Sequence, residues 1–270
     1  MSGKALRLKR FQASPNGRIV ILPLDHGVSL GPIPGLERPE AVVRMGVKEG
    51  ANALVLYKGM LGFLEKLSGP LPGVFVHLSA GSQLGPSAHH KVLIGTVEEA
   101  IRRGADGVSV HINLGNPNEP EMLKDFGTVG DACSEWQVPL LAMVYVRGHA
   151  DAPPAGDPAI AHAARIAAEL GADIIKIPAP EDDRILSEIT SSVPVPVVVA
   201  GGNRIADAPV FLERVEKAMQ AGAQGVAIGR NIFQSTCPAV LLRAICLIVH
   251  RGYTAGSAWE ESKGGGGTAP

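Results

Sequence analysis

Lys176 stands in the run "GADIIKIPAP", residues 171–180, with three isoleucines around it. An unpaired ammonium group on a buried strand costs several kcal/mol to desolvate, so its presence there asks for a chemical reason. Desolvation disfavours the charged form, and the free amine is the form that attacks a carbonyl to make a Schiff base. The iminium that results withdraws electrons from the neighbouring carbon. Forming and using it moves protons, so a shuttle has to stand nearby. Tyr145 closes the apolar run "PLLAMVY", and Asp25 closes "RIVILPLD". A tyrosine at such a place either shuttles a proton or packs its ring and turns its hydroxyl to water. Asp25 can pair with the lysine, hold the hydroxyl of an intermediate, or cap the helix that follows.

A second group of residues suits an anion. "VAGGN" and "IGRNIF" supply Gly201, Gly202, Gly229 and Arg230. Glycines let backbone N–H groups approach a phosphate, and the guanidinium adds a charge-assisted donor. Other polar residues also follow apolar runs: His26, Lys58, His77, His111 with Asn113, Arg147 and His149. Of these, Lys58, Arg147 and His149 are candidates for holding a carboxylate, and His26 and His111 are further candidates for substrate contact.

These residues need elements to hold them. The phrases "GANALVL", "GADGVSV", "GADIIKI" and "GAQGVAI" begin at 50, 104, 171 and 222, each after an amphipathic stretch such as "TVEEAIRR". The glycine ends a helix and a strand follows at once. The spacings of 54, 67 and 51 residues are about twice a βα unit, and further apolar runs fill the gaps at 73–79, 139–145 and 195–202, with another at 18–25. Eight nearly continuous apolar strands alternating with helices predict the α/β class and a (β/α)8 TIM barrel over residues 1–255, followed by a flexible Gly-rich tail at 256–270. A doubly wound open sheet is the competing arrangement. In a closed barrel Lys176 has no sheet edge from which to snorkel, and alternation puts Ile175 and Ile177 outward while Ile174 and Lys176 face inward. The polar residues then gather at the C-terminal mouth, where barrels hold their sites, and the loops after the seventh and eighth strands are a common phosphate position.

Composition narrows the partners. With 25 Lys and Arg against 26 Asp and Glu there is no electrostatic footprint for nucleic acid or an anionic membrane, so an anion must be caught locally. Three cysteines without CxxC spacing predict neither a disulfide framework nor a thiolate zinc site, and make a reducing cytoplasm the expected compartment. The basic N-terminus has no signal-peptide core.

In order and spacing, "ILPLDHGVSLGPIPGL", "LAMVYVRG", "GADIIKI", "VVVAGGN" and "AIGRNIFQ" resemble the archaeal-type class I aldolases related to fructose-bisphosphate aldolase, especially the branch that makes amino-deoxy-heptulosonates. The resemblance covers about residues 8–250. It implies that Lys176 forms the Schiff base, Tyr145 is the general acid and base, and Asp25 assists. It also implies that Gly201, Gly202, Gly229 and Arg230 bind the substrate phosphate, and that no metal or organic cofactor is needed. Members are often decamers, so a homo-oligomer is expected. Two activities in that branch fit: a transaldolase-like synthase of 2-amino-3,7-dideoxy-heptulosonate, and condensation of dihydroxyacetone phosphate with L-aspartate 4-semialdehyde. Val146, where relatives often have Pro, and the loop "IPAPEDD" depart from the pattern. Rival readings are a metal-dependent lyase using His26, His77, His111 and His149, although no HxH or HExxH spacing is present, a phosphate-ligand isomerase, and a non-catalytic binding barrel.

Overall fold

A computed structural model describes residues 1–85, 87, 89–148 and 156–264. Eight parallel strands close into a barrel: β1 (Ile19–Pro23), β2 (Ala53–Leu56), β3 (Gly73–His77), β4 (Gly107–Leu114), β5 (Leu140–Val146), β6 (Ile174–Pro178), β7 (Val197–Ala200) and β8 (Gly225–Ala227). Each strand pairs with its sequence neighbours, and β8 closes on β1 through Ile19 opposite Gly225. The architecture is the expected TIM barrel. Helices α1 (Gly3–Phe11), α2 (Pro39–Lys48), α3 (Val97–Arg102), α4 (Glu119–Glu135), α5 (Asp157–Glu169), α6 (Asp183–Ser192), α7 (Ala208–Gln220), α8 (Pro238–Arg251) and α9 (Ala255–Gly264) accompany it, while a 3₁₀ helix over Lys58–Lys66 links β2 to β3. Among the described residues no helix is long and apolar enough to cross a membrane.

The "GA" phrases have a definite structural job. Gly50, Gly104, Gly171 and Gly222 all take positive φ, between 88° and 100°, which ends each helix in a conformation costly for other residues. The next polar residue then serves the adjoining strand. Asn52 accepts the N–H of Val20 at 2.7 Å, Asp106 that of Val74 at 3.0 Å, and Asp173 that of Leu140 at 2.8 Å. Three of the four repeats therefore cap an exposed strand start with a side-chain oxygen.

Alternation divides the core in two. Outward residues such as Val20, Leu54, Val76, Ile175 and Ile177 pack beneath the helices. Inward residues Ile19, Ile21, Ala53, Val55, Phe75, Leu141, Met143, Ile174 and Val198 fill the barrel itself. Helix α1 closes the N-terminal end. Phe11 stacks on Phe75 with centroids 3.8 Å apart, in a notch that exists because a Cβ at Gly73 would lie 2.4 Å from the Phe11 ring. Its basic residues hold it there: Lys4 pairs with Asp173 at 2.9 Å and Arg10 with Asp106 at 2.6 Å.

The C-terminal segment corrects an expectation. Residues 256–264, assigned to a flexible tail, continue helix α9, and residues 265–270 lie outside the described set. Ala255, Ala258 and Ser262, spaced three and four apart, are buried on one helical face, and the Ser262 carbonyl accepts from Arg243 at 3.1 Å. A stripe of small residues packs closely even where the composition is Gly-rich.

Candidate active site

One parity rule assembles the mouth. Continuing the inward series 19, 21, 23 brings Asp25 inside; 53 and 55 lead to Tyr57; 75 leads to His77; 141 and 143 lead to Tyr145; and 174 leads to Lys176. In β4, Ser109 pairs with His77 and Leu141, which puts Ser109, His111 and Asn113 on the same face.

Lys176 is 7 % exposed and stands between Met143 and Val198 in the ladder. Its Nζ reaches only the Met143 Sδ, at 3.8 Å, a weak acceptor. Among the described residues no carboxylate forms an ion pair with it, although Asp25 and Lys176 lie close enough to influence one another. Asp25 makes no side-chain cap to the short helix His26–Leu30 that follows, so capping does not explain it. Burial alone would raise its carboxyl; the nearby His77, His26 and Lys176 outweigh that and hold it at about 2. His77 Nε2 is 3.9 Å from Asp25 Oδ2, and His77 Nδ1 shares a 2.8 Å hydrogen bond with Ser109. Burial pushes the His77 imidazole down to about 4 against the opposing pull of Asp25, so at neutral pH the pair is a carboxylate beside a neutral ring.

Tyr145 is held by its ring. His111 stacks on it at 4.9 Å and the Arg147 guanidinium lies 5.2 Å from its centroid, while no described residue hydrogen-bonds its hydroxyl. His111 Nε2 bonds Asn113 Oδ1 at 3.0 Å, and burial together with Lys91 pushes its imidazole down to about 3.

The anion residues come together. Arg230 donates to the Gly202 carbonyl at 3.3 Å, and Gly229 packs so tightly that a Cβ would lie 2.6 Å from His26 Cε1. Burial lowers the His26 imidazole below its ordinary value, with Lys176 and Arg230 acting in the same direction and Asp25 opposing. His26, His77 and His111 do not belong to any three-donor cluster able to hold a metal, among the described residues.

Two expected residues are elsewhere. Lys58 falls out of phase with Ala53 and Val55, and its ammonium donates to the Ile94 carbonyl at 2.8 Å and Glu99 Oε2 at 2.9 Å instead of entering the mouth. The residue in phase is its neighbour Tyr57, whose hydroxyl donates to the Ser79 carbonyl at 2.8 Å and is shifted upward by burial and Asp25. His149 lies outside the described residues. In "IPAPEDD", Glu181 and Asp182 donate their N–H groups to Asp157 at 3.0 and 2.8 Å, and Asp182 caps α6. Those acidic residues serve the helix start.

Three further residues were not foreseen. Asn231, buried, donates to Gly201 and Asn203 carbonyls at 2.8 and 3.1 Å and accepts from the Ile205 N–H at 2.8 Å, tying the β7 loop to the β8 loop. Lys91, 8 % exposed, follows the β3 loop and bonds Gly81 O at 3.2 Å and Ser29 Oγ at 3.4 Å. Tyr57 was readable from alternation; Asn231 sits in the single-turn helix Arg230–Phe233 and Lys91 in an irregular segment, neither long enough to show a period.

Comparison with known proteins identifies the family. The DeoC/LacD family aldolase description matches residues 19–235. The 2-amino-4,5-dihydroxy-6-oxo-7-(phosphonooxy)heptanoate synthase of Streptomyces griseus is 37 % identical over 266 residues, covering 98 % of this chain and 97 % of its own. The 2-amino-3,7-dideoxy-D-threo-hept-6-ulosonate synthase 1 of Archaeoglobus fulgidus is 40 % identical over 250 residues, covering 93 % and 92 %. An archaeal fructose-1,6-bisphosphate aldolase, solved with its catalytic lysine bound to the carbinolamine intermediate, superposes with a TM-score of 0.81 at 28 % identity over 90 % of this chain and 99 % of its own. The chain belongs to the DeoC/LacD family of aldolases, and to its class I, Schiff-base-forming members.

Proposed function

We propose that the protein condenses dihydroxyacetone phosphate with L-aspartate 4-semialdehyde to give 2-amino-4,5-dihydroxy-6-oxo-7-(phosphonooxy)heptanoate, with Lys176 as the Schiff-base residue. The observation that carries the chemistry is the position of Lys176: an inward, buried lysine with no anionic partner in bonding range among the described residues, at the mouth with Asp25 and Tyr145. The Streptomyces griseus relative, aligned over nearly all of both chains, supports the choice of substrates.

The phosphate rests on the β7 and β8 loops, on Gly201, Gly202, Gly229 and the Arg230 guanidinium. Lys176 Nζ adds to C2 of dihydroxyacetone phosphate, Tyr145 gives its proton to the carbinolamine hydroxyl, which leaves as water, and an iminium forms whose charge Asp25 stabilises. Tyr145 removes a C3 proton and the electrons flow into the iminium, giving an enamine. C3 then attacks the aldehyde carbon of the acceptor, Tyr145 returns the proton to the new alkoxide, and water hydrolyses the iminium to free product and Lys176. Arg147, whose guanidinium lies 5.2 Å from the Tyr145 ring centroid, would meet the acceptor as it enters. A neutral His77 beside Asp25 leaves that carboxylate its charge for the iminium.

Product analysis tests the substrate assignment. The purified enzyme is given dihydroxyacetone phosphate with aspartate semialdehyde or with glyceraldehyde 3-phosphate, and separately a deoxy-ketose phosphate with aspartate semialdehyde. Mass spectrometry should find the phosphorylated seven-carbon amino acid from the first pair. A dephosphorylated dideoxy-heptulosonate from the third, with nothing from the first, would replace this reading with that of the Archaeoglobus-type activity.

A further inference from the structure

Lys91 is a buried ammonium in the mouth that the steps above do not use. Its partners are neutral and distant: Gly81 O at 3.2 Å and Ser29 Oγ at 3.4 Å, longer than the 2.7–2.9 Å of a charge-assisted bond. Three other lysines meet carboxylates: Lys4 with Asp173 at 2.9 Å, Lys58 with Glu99 at 2.9 Å and Lys263 with Glu260 at 2.6 Å. Among the described residues Lys91, more buried than any of those partners requires, has no such pair. An ammonium left on two weak neutral acceptors bears a desolvation cost that an incoming anion would offset.

Its position is built. The β1 and β3 loops are joined by Ser29, which donates to the Gly81 carbonyl at 2.9 Å and accepts the Gln83 N–H through its own carbonyl at 3.1 Å. Gly81 has no space for a side chain, since a Cβ would come within 3.1 Å of Lys91 Nζ and 2.6 Å of the His90 carbonyl. Asp25, His77, His89 and His111 all lie near enough to feel the ammonium, which adds to the burial that lowers the three imidazoles. In the closed order of eight strands β3 stands four places from β7, on the opposite side of the mouth from Gly201 and Gly202. Lys176, on β6, lies between these two positive stations.

We propose that Lys91 binds the terminal anionic group of the aldehyde acceptor, across the mouth from the donor's phosphate, and so selects anionic over neutral aldehydes. This rests on the aldolase reading of the site but not on which acceptor it takes: a carboxylate and a phosphate both satisfy the ammonium. With donor phosphate at β7 and β8, acceptor anion at β3 and the reacting carbons over Lys176, the new bond forms in the middle of a substrate stretched between two charges.

The test compares Lys91→Met and Lys91→Gln with the wild type. Aspartate semialdehyde, glyceraldehyde 3-phosphate and neutral glyceraldehyde are offered with dihydroxyacetone phosphate, and retention of borohydride trapping with the donor alone reports that each variant is folded and its lysine site assembled. Loss of a charged hydrogen bond predicts that selectivity for the anionic acceptor, as a ratio of kcat/KM values against glyceraldehyde, falls about 10- to 100-fold, chiefly through the acceptor's KM. Lys91→Arg should recover part of it. If aspartate semialdehyde alone shows the loss, the anion is a carboxylate; if glyceraldehyde 3-phosphate alone does, it is a phosphate. An unchanged ratio in variants that still trap the donor overturns the proposal while leaving the aldolase reading intact. Failure of the wild type to trap the donor would instead remove the aldolase reading on which it stands.

Discussion

At the N-terminal end of the barrel Phe11 and Phe75 stack at 3.8 Å over a floor of isoleucine, valine and alanine. At the C-terminal end the same strands, two to four residues later, present Asp25, Tyr57, His77, His111, Tyr145 and Lys176. Apolar packing is strong and tolerant of chemistry elsewhere, whereas each group in the mouth is buried against its own preference and gives up stability for a charge or a proton in the right place. The floor makes the mouth possible. A dry lower half keeps the Lys176 amine and the His77 and His111 imidazoles neighbours of one another instead of water.

That contrast can be broken by substitution. Lys176→Met should lower turnover by about 10⁴-fold or more while leaving Tm unchanged or higher, because the nucleophile goes and a buried amine is replaced by an apolar chain of similar length. Loss of stability alongside activity would mean that Lys176 helps hold the barrel together. Tyr145→Phe should cost about 10²- to 10⁴-fold in kcat, the range of a lost acid–base group, with the ring still stacked on His111 and the fold unaltered. Phe11→Ala works at the other end. It should remove about 3–5 kcal/mol of stability and lower Tm by roughly 6–20 °C, yet kcat/KM of the folded protein in the cold should stay within about twofold of wild type.

Acid probes the mouth without mutation. His77 and His111 are held at about 4 and about 3, against an ordinary 6.5, so below pH 6.5 the unfolded chain takes up protons that the folded chain refuses. Stability should fall as pH drops from 6.5 toward 4 and 3. Asp25, held at about 2 instead of 3.8, adds a contribution that is complete above 3.8 and is lost on the way down to 2. Thermal unfolding followed at pH 7, 5.5 and 4.5 should show Tm decreasing at each step; a flat profile would mean that the imidazoles are solvated. The smallest effect belongs to neither end: Arg165→Ala, at an exposed pair with Glu169, should change stability by less than about 0.5 kcal/mol and leave kinetics alone.

The barrel was legible because strand, helix and glycine cap recur four times in phase, and the phase of "GADIIKI" alone turned Lys176 inward. The site was partly legible for the same reason. Where a strand carries its alternation to the mouth, as through Leu141 and Met143 to Tyr145, the residue could be placed. Lys58 shows the limit: its nearness to a strand end drew attention, but its parity sent it outward to Glu99. Lys91 lies in an irregular stretch and Asn231 in a four-residue helix too short to show a period, so only the folded chain brings Lys91 to Gly81 or Asn231 to Gly201. Phe11 was invisible because its partner Phe75 is 64 positions away, and the Gly-rich ending hid the helical spacing of Ala255, Ala258 and Ser262.

The central claim concerns one amine among several lysines near the mouth. Incubation with dihydroxyacetone phosphate and borohydride, followed by peptide mapping, should place a single reduced adduct on Lys176. An adduct on Lys91 or Lys58, or none at all, would contradict the account.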